Sequence, residues 1–353
     1  MAEPNTVLRT DLDPGKFRDP DITLKGERRA VVALTRLRTL WFNTGSLCNI
    51  TCDNCFMESS PTNDSLAYLT TAEMRAYLDE VAAEGMPVEE IGFTGGEPFM
   101  NRDLPDMIEE SLVRGFRVLM LTNAMKPMHH RKERLLALKA VHGAALTLRV
   151  SVDHYTPEKH EKVRGRGTWG PMIEGLRWLA ENGFSVNVAG RTVWGETDEE
   201  ARTGYAALFA AEGIPVDATN FAQLVLFPEM DARVDVPEIT VHCWEILGVA
   251  PEQMMCATSR MVIKRRGADG PVVVPCTLLP YDPQFELGSR LTESRSTVAL
   301  NHPHCAKFCV LGGGSCSVSR RPRPPCPEKA LGSPFPRRKA PSSRHLRPPA
   351  FVA

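Results

Sequence analysis

The feature that most restricts the fold is a regular alternation of apolar runs and amphipathic segments through the first two thirds of the chain. Six apolar runs have the length of buried strands, at residues 37–42, 90–93, 117–121, 146–152, 185–189 and 224–227. Five segments with helical spacing lie between them, after Thr70 and at residues 104–114, 130–142, 170–182 and 198–211. This order predicts right-handed βαβ units and an α/β fold with a parallel sheet. Six units are too few for a complete eight-fold barrel, so a partial barrel and an open doubly wound sheet both fit the pattern.

Composition bounds the class of protein. The 353 residues are 42% hydrophobic, which is enough for a substantial core, and the formal net charge of −1 gives no support to a specific nucleic-acid binder. No apolar run approaches the roughly 18 residues of a membrane-spanning helix, and the N-terminus lacks the apolar segment of a secretory signal. We therefore expect a cytoplasmic protein that does not enter the membrane.

Local composition divides the chain into four parts. Residues 1–36 are polar and contain scattered Pro and Gly, which predicts an extended N-terminal arm, and residues 37–235 carry the alternating pattern. Residues 236–316 contain six cysteines and show little helical periodicity, which predicts a small module whose fold is stabilised by bound metal. Residues 317–353 are rich in Pro and in Lys and Arg, which predicts a disordered tail.

The first motif with chemical meaning is a group of three cysteines, Cys48, Cys52 and Cys55, directly after the first predicted strand. Ligands bind at the carboxyl ends of strands in parallel α/β folds. Three thiolates within eight residues can surround one soft metal centre, whereas structural zinc usually takes four protein ligands. The motif alone therefore favours an iron–sulfur cluster with one open iron and leaves a zinc site as the alternative.

The second motif, Gly95-Gly96-Glu97-Pro98, ends the second predicted strand. Two glycines allow the backbone to come close to a ligand, and the carboxylate of Glu97 suits an ammonium group. Taken alone, this segment also fits an ordinary turn between a strand and a helix.

The two motifs in this order resemble those of the radical S-adenosylmethionine (radical SAM) enzymes. The resemblance covers roughly residues 37–227. It implies a partial, six-unit (β/α) barrel of the TIM type, in which Cys48, Cys52 and Cys55 hold a catalytic 4Fe–4S cluster. It also implies that the cluster binds S-adenosylmethionine and cleaves it to a 5′-deoxyadenosyl radical, which abstracts hydrogen from a substrate. Gly95, Gly96 and Glu97 would then bind the methionine amino group.

Further positions agree with the family pattern, and one departs from it. Ser151 ends the fourth strand, where similar enzymes place a Ser on the cofactor carboxylate, and Arg164 is a candidate second contact with that carboxylate. Asn123 resembles part of the family's Thr-Asn turn. The residue before the third cysteine is usually aromatic in the family but is Asn54 here, and Phe56 follows the cysteine instead.

The cysteines of residues 236–316 resemble the SPASM or shorter Twitch extensions of radical SAM enzymes. The full seven-cysteine SPASM spacing is not reproduced, so we expect one auxiliary 4Fe–4S cluster rather than two. The expected ligands are Cys256, Cys276, Cys305 and Cys309, with Cys316 as the strongest substitute. A four-thiolate zinc needs the same ligands and stays open as an alternative.

These features predict a radical SAM oxidoreductase, or another enzyme of radical chemistry, that acts on a small molecule or a peptide. It would need an electron donor such as flavodoxin or ferredoxin. The alternative from another class is an iron–sulfur or zinc protein without enzymatic activity, which carries metal or scaffolds a partner. The Gly-Gly-Glu-Pro segment discriminates between them, since a carrier needs no site for an amino acid.

Overall fold

The computed structural model describes residues 10–313. Within this range the strands lie at Val31–Val32 (β1), Thr39–Asn43 (β2), Glu90–Thr94 (β3), Arg117–Thr122 (β4), Leu146–Ser151 (β5), Ser185–Arg191 (β6), Leu224–Phe227 (β7), Ser259–Ile263 (β8), Val272–Val274 (β9) and Val298–Ala299 (β10). The α-helices lie at Thr71–Ala83 (α1), Leu104–Val113 (α2), Lys126–His129 (α3), Lys132–His142 (α4), Pro157–Arg164 (α5), Trp169–Glu181 (α6), Asp198–Glu212 (α7) and Cys243–Leu247 (α8).

The main sheet has eight strands in the order β7-β6-β5-β4-β3-β2-β8-β9. Strands β2 to β7 pair in parallel with their neighbours in chain order. This arrangement confirms the predicted α/β class and the six-unit, TIM-type partial barrel. Since parallel neighbours end on the same side, the loops after β2, β3, β4, β5 and β6 meet at one end of the barrel.

Apolar side chains of the barrel strands and of the helices that follow them form one core. Helix α1 begins where the capping residues in the sequence predict. The Thr70 hydroxyl accepts a hydrogen bond from the Glu73 N–H, and the Glu73 carboxylate accepts one from the Thr70 N–H. Such a cap stabilises a helix by about 1 kcal/mol. The predicted first helix is thus confirmed, and Thr197 and Glu200 repeat the capping box at the start of α7.

The elements that the sequence did not predict include one helix beside the barrel and one strand of the main sheet. Helix α5 was not expected, because its sequence is mostly charged and only His160 and Val163 are buried. Strand β8 was not expected either, and it pairs in parallel with β2. The cysteine-rich segment therefore supplies a strand to the main sheet and apolar side chains such as Met261 and Ile263 to a second core cluster. It has more apolar packing of its own than its weak periodicity suggested.

The N-terminal arm packs against this second cluster. Arg29 is buried, and its guanidinium pairs with Glu238 at 2.6 Å, while the Ala30 N–H donates to the Ile239 carbonyl. Strands β1 and β10 form a separate antiparallel pair. Cys316 and the predicted tail at 317–353 lie outside the described residues. No helix within residues 10–313 is long and apolar enough to cross a membrane.

Candidate functional site

The three cysteines of the first motif lie in the loop between β2 and α1, at the carboxyl end of the barrel. The loop is held by its backbone: the Cys48 N–H donates to the Ser60 carbonyl at 3.0 Å. Cys48, Cys52 and Cys55 all line one cavity of about 110 Å³. The three predicted metal ligands therefore line one cavity, and their role as ligands stays a prediction.

The set of possible ligands around this cavity is limited to those thiols. Its described lining contains Cys48, Cys52 and Cys55 but no His, Asp or Glu. Across residues 10–313, no three His, Cys, Asp or Glu side chains are placed to hold a single metal ion. Burial raises the pKa of Cys48 to about 12 and also raises the pKa of Cys52. The thiols of these two residues are therefore neutral until a metal displaces their protons.

Gly95 and Gly96 line the same cavity and pack tightly against the loop that leads to Cys48. Gly95 has φ of +147°, and a Cβ added there would lie 2.5 Å from the Gly45 carbonyl oxygen. A Cβ on Gly96 would lie 2.2 Å from the Leu47 carbonyl oxygen. The Gly96 N–H donates to the Gly45 carbonyl, and the next N–H donates to the Leu47 carbonyl. Only glycine fits this contact between the two motifs.

Glu97 is buried between the ends of β3 and β4. Its carboxylate accepts hydrogen bonds from the Thr122 hydroxyl at 2.9 Å, the Asn123 N–H at 2.8 Å and the Phe99 N–H at 3.2 Å. Complete burial nevertheless raises its pKa to about 7. In the described residues the cavity is lined by the two preceding glycines rather than by the Glu97 side chain.

The ends of β5 and β6 and helix α5 bring a buried charge cluster to the cavity. Ser151, Arg164 and Arg191 line it, and Asp153 lies between the two arginines, 2.9 Å from Arg164 and 3.5 Å from Arg191. Burial acts to lower the pKa of Arg164, but the effect of the nearby Asp153 carboxylate is larger, and the pKa of Arg164 is raised. Burial likewise opposes the charge on Asp153, yet the two arginines hold its pKa below the usual value.

The structure also accounts for the departure from the family pattern. Asn54 has φ of +52°, which Asn tolerates better than most residues, and its amide donates to Glu229. Phe56 lines the cavity instead. Asn123 lines it as well, and its side-chain amide donates to Asn49 at 2.8 Å.

Four cysteines of the C-terminal segment are buried in the second core cluster. The described members of the predicted auxiliary set are Cys256, Cys276, Cys305 and Cys309. Cys256 and Cys305 are close enough for the charge of one to act on the other, and burial raises the pKa of both, that of Cys256 to about 11. The fifth candidate, Cys316, lies beyond the described residues.

A buried cation lies beside two of these thiols. Arg260 is fully buried, and its guanidinium donates to the carbonyls of Ser294, Cys256 and Ser259. Its Nη2 atom has no hydrogen-bond partner among the described residues. Burial lowers the pKa of Arg260 to about 10. The nearby thiols of Cys256 and Cys276 act in the opposite direction and raise that pKa.

Sequence reasoning assigned no role to Asp153, Arg191 or Arg260. Asp153 and Arg191 follow predicted strands closely, so the criterion that selected Ser151 could also have selected them. Thr122 and Asn123, which resemble the family's Thr-Asn turn, both line the cavity. Nothing in the sequence marked Arg260, since its role depends on long-range burial.

Part of this chain is similar to known proteins. Residues 42–204 match the Radical SAM superfamily. The chain is 28% identical over 188 residues to Fe-coproporphyrin III synthase from Methanosarcina barkeri (strain Fusaro / DSM 804), covering 53% of this chain and 43% of that protein. It is 32% identical over 169 residues to GTP 3′,8-cyclase from Aquifex aeolicus (strain VF5), covering 46% of this chain and 50% of that protein. The chain thus spans about half the length of these relatives.

Solved structures give the same fold at low sequence identity. Streptococcus suis SuiB bound to S-adenosylmethionine superposes with a TM-score of 0.53 and 12% identity, covering 72% of this chain and 63% of SuiB. SuiB bound to its precursor peptide SuiA gives a TM-score of 0.54 and 11% identity, covering 75% of this chain and 66% of SuiB. These structures support the fold, and the family match covers the loops that form the cavity. Over residues 42–204, a little under half of the chain, this protein is similar to the Radical SAM superfamily.

Proposed function

We propose that this chain is a radical SAM enzyme in which Cys48, Cys52 and Cys55 hold a 4Fe–4S cluster. The observation that carries the proposal is the composition of the cavity lining: three thiols and, in its described part, no fourth thiol, imidazole or carboxylate. A closed zinc site needs a fourth protein ligand. A cluster with three cysteine ligands keeps one iron open for a further ligand.

The rest of the cavity suits the amino-acid end of S-adenosylmethionine. The N–H groups of Gly96 and Glu97 donate to the preceding loop, so a contact from this backbone to an ammonium group would use carbonyl oxygens. Ser151 offers a hydroxyl, and two arginines beside one aspartate leave a net positive charge that a carboxylate would balance. We assign the carboxylate contact to Ser151 and Arg164. A direct contact from Glu97 to the ammonium group stays a prediction.

Cys48, Cys52 and Cys55 would hold the cluster, which when reduced would supply the electron for cleavage of S-adenosylmethionine to methionine and a 5′-deoxyadenosyl radical, the species that would abstract hydrogen from the substrate. That electron requires an external donor of the flavodoxin or ferredoxin type. Oxidoreductase chemistry, such as dehydrogenation, fits this site, and so do cyclisation and epimerisation. A cytoplasmic location stays a prediction.

We further propose one auxiliary 4Fe–4S cluster in the C-terminal segment. The support is Arg260, a buried cation with an orphaned Nη2 atom beside Cys256 and Cys276. A buried charge needs a compensating charge, and neutral thiols supply none. Thiolates bound to a metal would supply it. Zinc meets this need equally, so metal analysis must separate the two.

The substrate class that we propose is a peptide, with a small molecule as the alternative. SuiB, which shares the fold, was solved with a precursor peptide. Its sequence identity to this chain is too low to transfer that substrate directly, so the support is the shared architecture alone.

The test is formation of 5′-deoxyadenosine after anaerobic reconstitution with iron and sulfide, reduction and addition of S-adenosylmethionine. The wild type should form it, and the Cys48→Ala/Cys52→Ala/Cys55→Ala variant should not. Cys243→Ala is the matched control, because Cys243 lies outside the cavity lining, and it should behave like the wild type. Undiminished product from the triple variant would refute the ligand assignment.

A further inference from the structure

A second chamber adjoins the cavity of the three cysteines inside the barrel. The two share part of their walls, namely Phe56, Leu121, Ser151, Arg164 and Arg191. The second chamber has a volume of about 90 Å³. It is therefore in direct contact with the place assigned to the cofactor, and none of the three cysteines lines it.

The part of this chamber that is not shared with the cofactor cavity is largely apolar. Phe227 comes from the end of β7, and Met230 follows it. Leu278 and Phe308 come from the cysteine-rich segment, and the rings of Phe227 and Phe308 lie 5.2 Å apart. A chamber of this size with such walls suits an aliphatic or aromatic group.

The charged residues of the chamber have partners within the protein. Asp153 pairs with Arg164 and Arg191, and we have assigned their remaining positive charge to the cofactor carboxylate. Arg149 donates to the Ala222 carbonyl and lies near Glu90, whose pKa it acts to lower. A charged substrate group would therefore lose its hydration and meet mainly aromatic and aliphatic side chains, which is unfavourable.

We propose that this chamber receives an apolar side chain of the substrate, such as that of leucine or phenylalanine in a peptide. The inference rests on the proposed function, because it takes the cofactor to lie in the first cavity. The step concerned is transfer of one hydrogen atom. A carbon–hydrogen bond of the apolar group breaks, the hydrogen forms a bond to the 5′ carbon of the deoxyadenosyl radical, and the unpaired electron stays on the substrate carbon.

The test follows this hydrogen atom and does not require the natural substrate. Reconstituted, reduced protein is given S-adenosylmethionine and either N-acetyl-leucine amide or N-acetyl-glutamate amide, each deuterated in its side chain. Mass spectrometry then measures the deuterated fraction of the 5′-deoxyadenosine. The leucine probe should give at least about ten times the deuterated fraction of the glutamate probe.

Variants tie the result to the chamber. Phe227→Asp should lower the deuterated fraction from the leucine probe at least about tenfold, whereas Phe227→Leu should keep most of it. Val141→Asp, at a helix position that is 77% exposed, is the surface control and should match the wild type. Iron content reports whether each variant is folded and loaded.

The outcomes separate the two proposals. Equal or greater label from the glutamate probe, or no label from either probe while 5′-deoxyadenosine still forms, would overturn the apolar chamber and leave the proposed function standing. Absence of 5′-deoxyadenosine under all conditions would overturn the proposed function and this inference with it.

Discussion

Glu97 shows how one residue can serve both the structure and the site. The sequence marked it as a carboxylate beside two glycines, and that much could be predicted from the motif. Its two hydrogen bonds from the Thr122-Asn123 turn could not, because they depend on the pairing of β3 with β4. The carboxylate therefore joins the loops after β3 and β4, both of which line the cavity.

We predict that Glu97→Gln weakens binding of S-adenosylmethionine by about tenfold or more. Loss of a charge-assisted hydrogen bond costs about 1.5–3 kcal/mol in a shielded site, and an amide cannot accept from all three donors at once. Equilibrium binding to the reconstituted protein measures the effect. An unchanged dissociation constant would contradict both a direct contact and a positioning role.

The pH dependence of stability gives a second prediction for Glu97. Its folded pKa of about 7 lies above the ordinary value of 4.5, so the folded state holds this proton more tightly than the unfolded state. The stability of the wild type therefore falls as the pH rises from about 4.5 to about 7. Relative to the wild type, Glu97→Gln should gain a few degrees in melting temperature between about pH 5 and about pH 8. A difference that does not change with pH would refute the raised pKa.

Arg260 carries the prediction that bears most directly on the auxiliary site. Removal of its charge in Arg260→Met should lower the affinity of the C-terminal thiols for metal, because their anionic form loses its buried counter-charge. Arg260→Lys keeps the charge and should retain more metal. Iron and zinc content of anaerobically purified protein is the measurement. Equal metal content in all three proteins would show that Arg260 does not compensate a metal site.

At the scale of elements, most of the barrel could be predicted because each strand and helix carries its own local signal. The exceptions have physical reasons. The charged sequence of α5 has no apolar period, and β8 contains Ser259 and Arg260, which interrupt an apolar run although all five residues are buried. Backbone carbonyls accept hydrogen bonds from the Arg260 guanidinium but do not balance its charge.

The contact between the two motif loops gives a prediction at this scale. Gly96→Ala would place a Cβ against the Leu47 carbonyl and push the loop that leads to Cys48. We expect loss of cluster iron and a destabilisation of about 1–3 kcal/mol. Gly270→Ala is the matched control, since its Cβ would meet nothing within 4 Å. If both variants retained full iron, the glycine contact would not position the cysteine loop.

At the scale of the whole molecule, the C-terminal segment is part of the barrel's architecture. The sequence placed a boundary at residue 236, and that division stays a prediction, but β8 continues the main sheet and Phe308 closes a chamber inside the barrel. These contacts join residues that are far apart in the chain, so no local pattern could reveal them.

Metal content tests the two sites together. We predict about eight irons per chain in the reconstituted wild type and about four in Cys256→Ala/Cys305→Ala, with 5′-deoxyadenosine still formed by the variant. Mössbauer spectra with iron and sulfide analysis measure this. About four irons and one stoichiometric zinc in the wild type would refute the auxiliary iron–sulfur cluster.

The parallel pairing of β8 with β2 has a consequence for biosynthesis. Thr39 pairs with Ser259, so about 220 further residues must be synthesised after β2 before β8 can cover the free edge of β2. Until then the nascent chain exposes unpaired backbone groups on an apolar strand, which is a template for association with other chains. Fragments that end before β8 should therefore aggregate, even though they contain strands β2 to β7 and all three cysteines of the first motif.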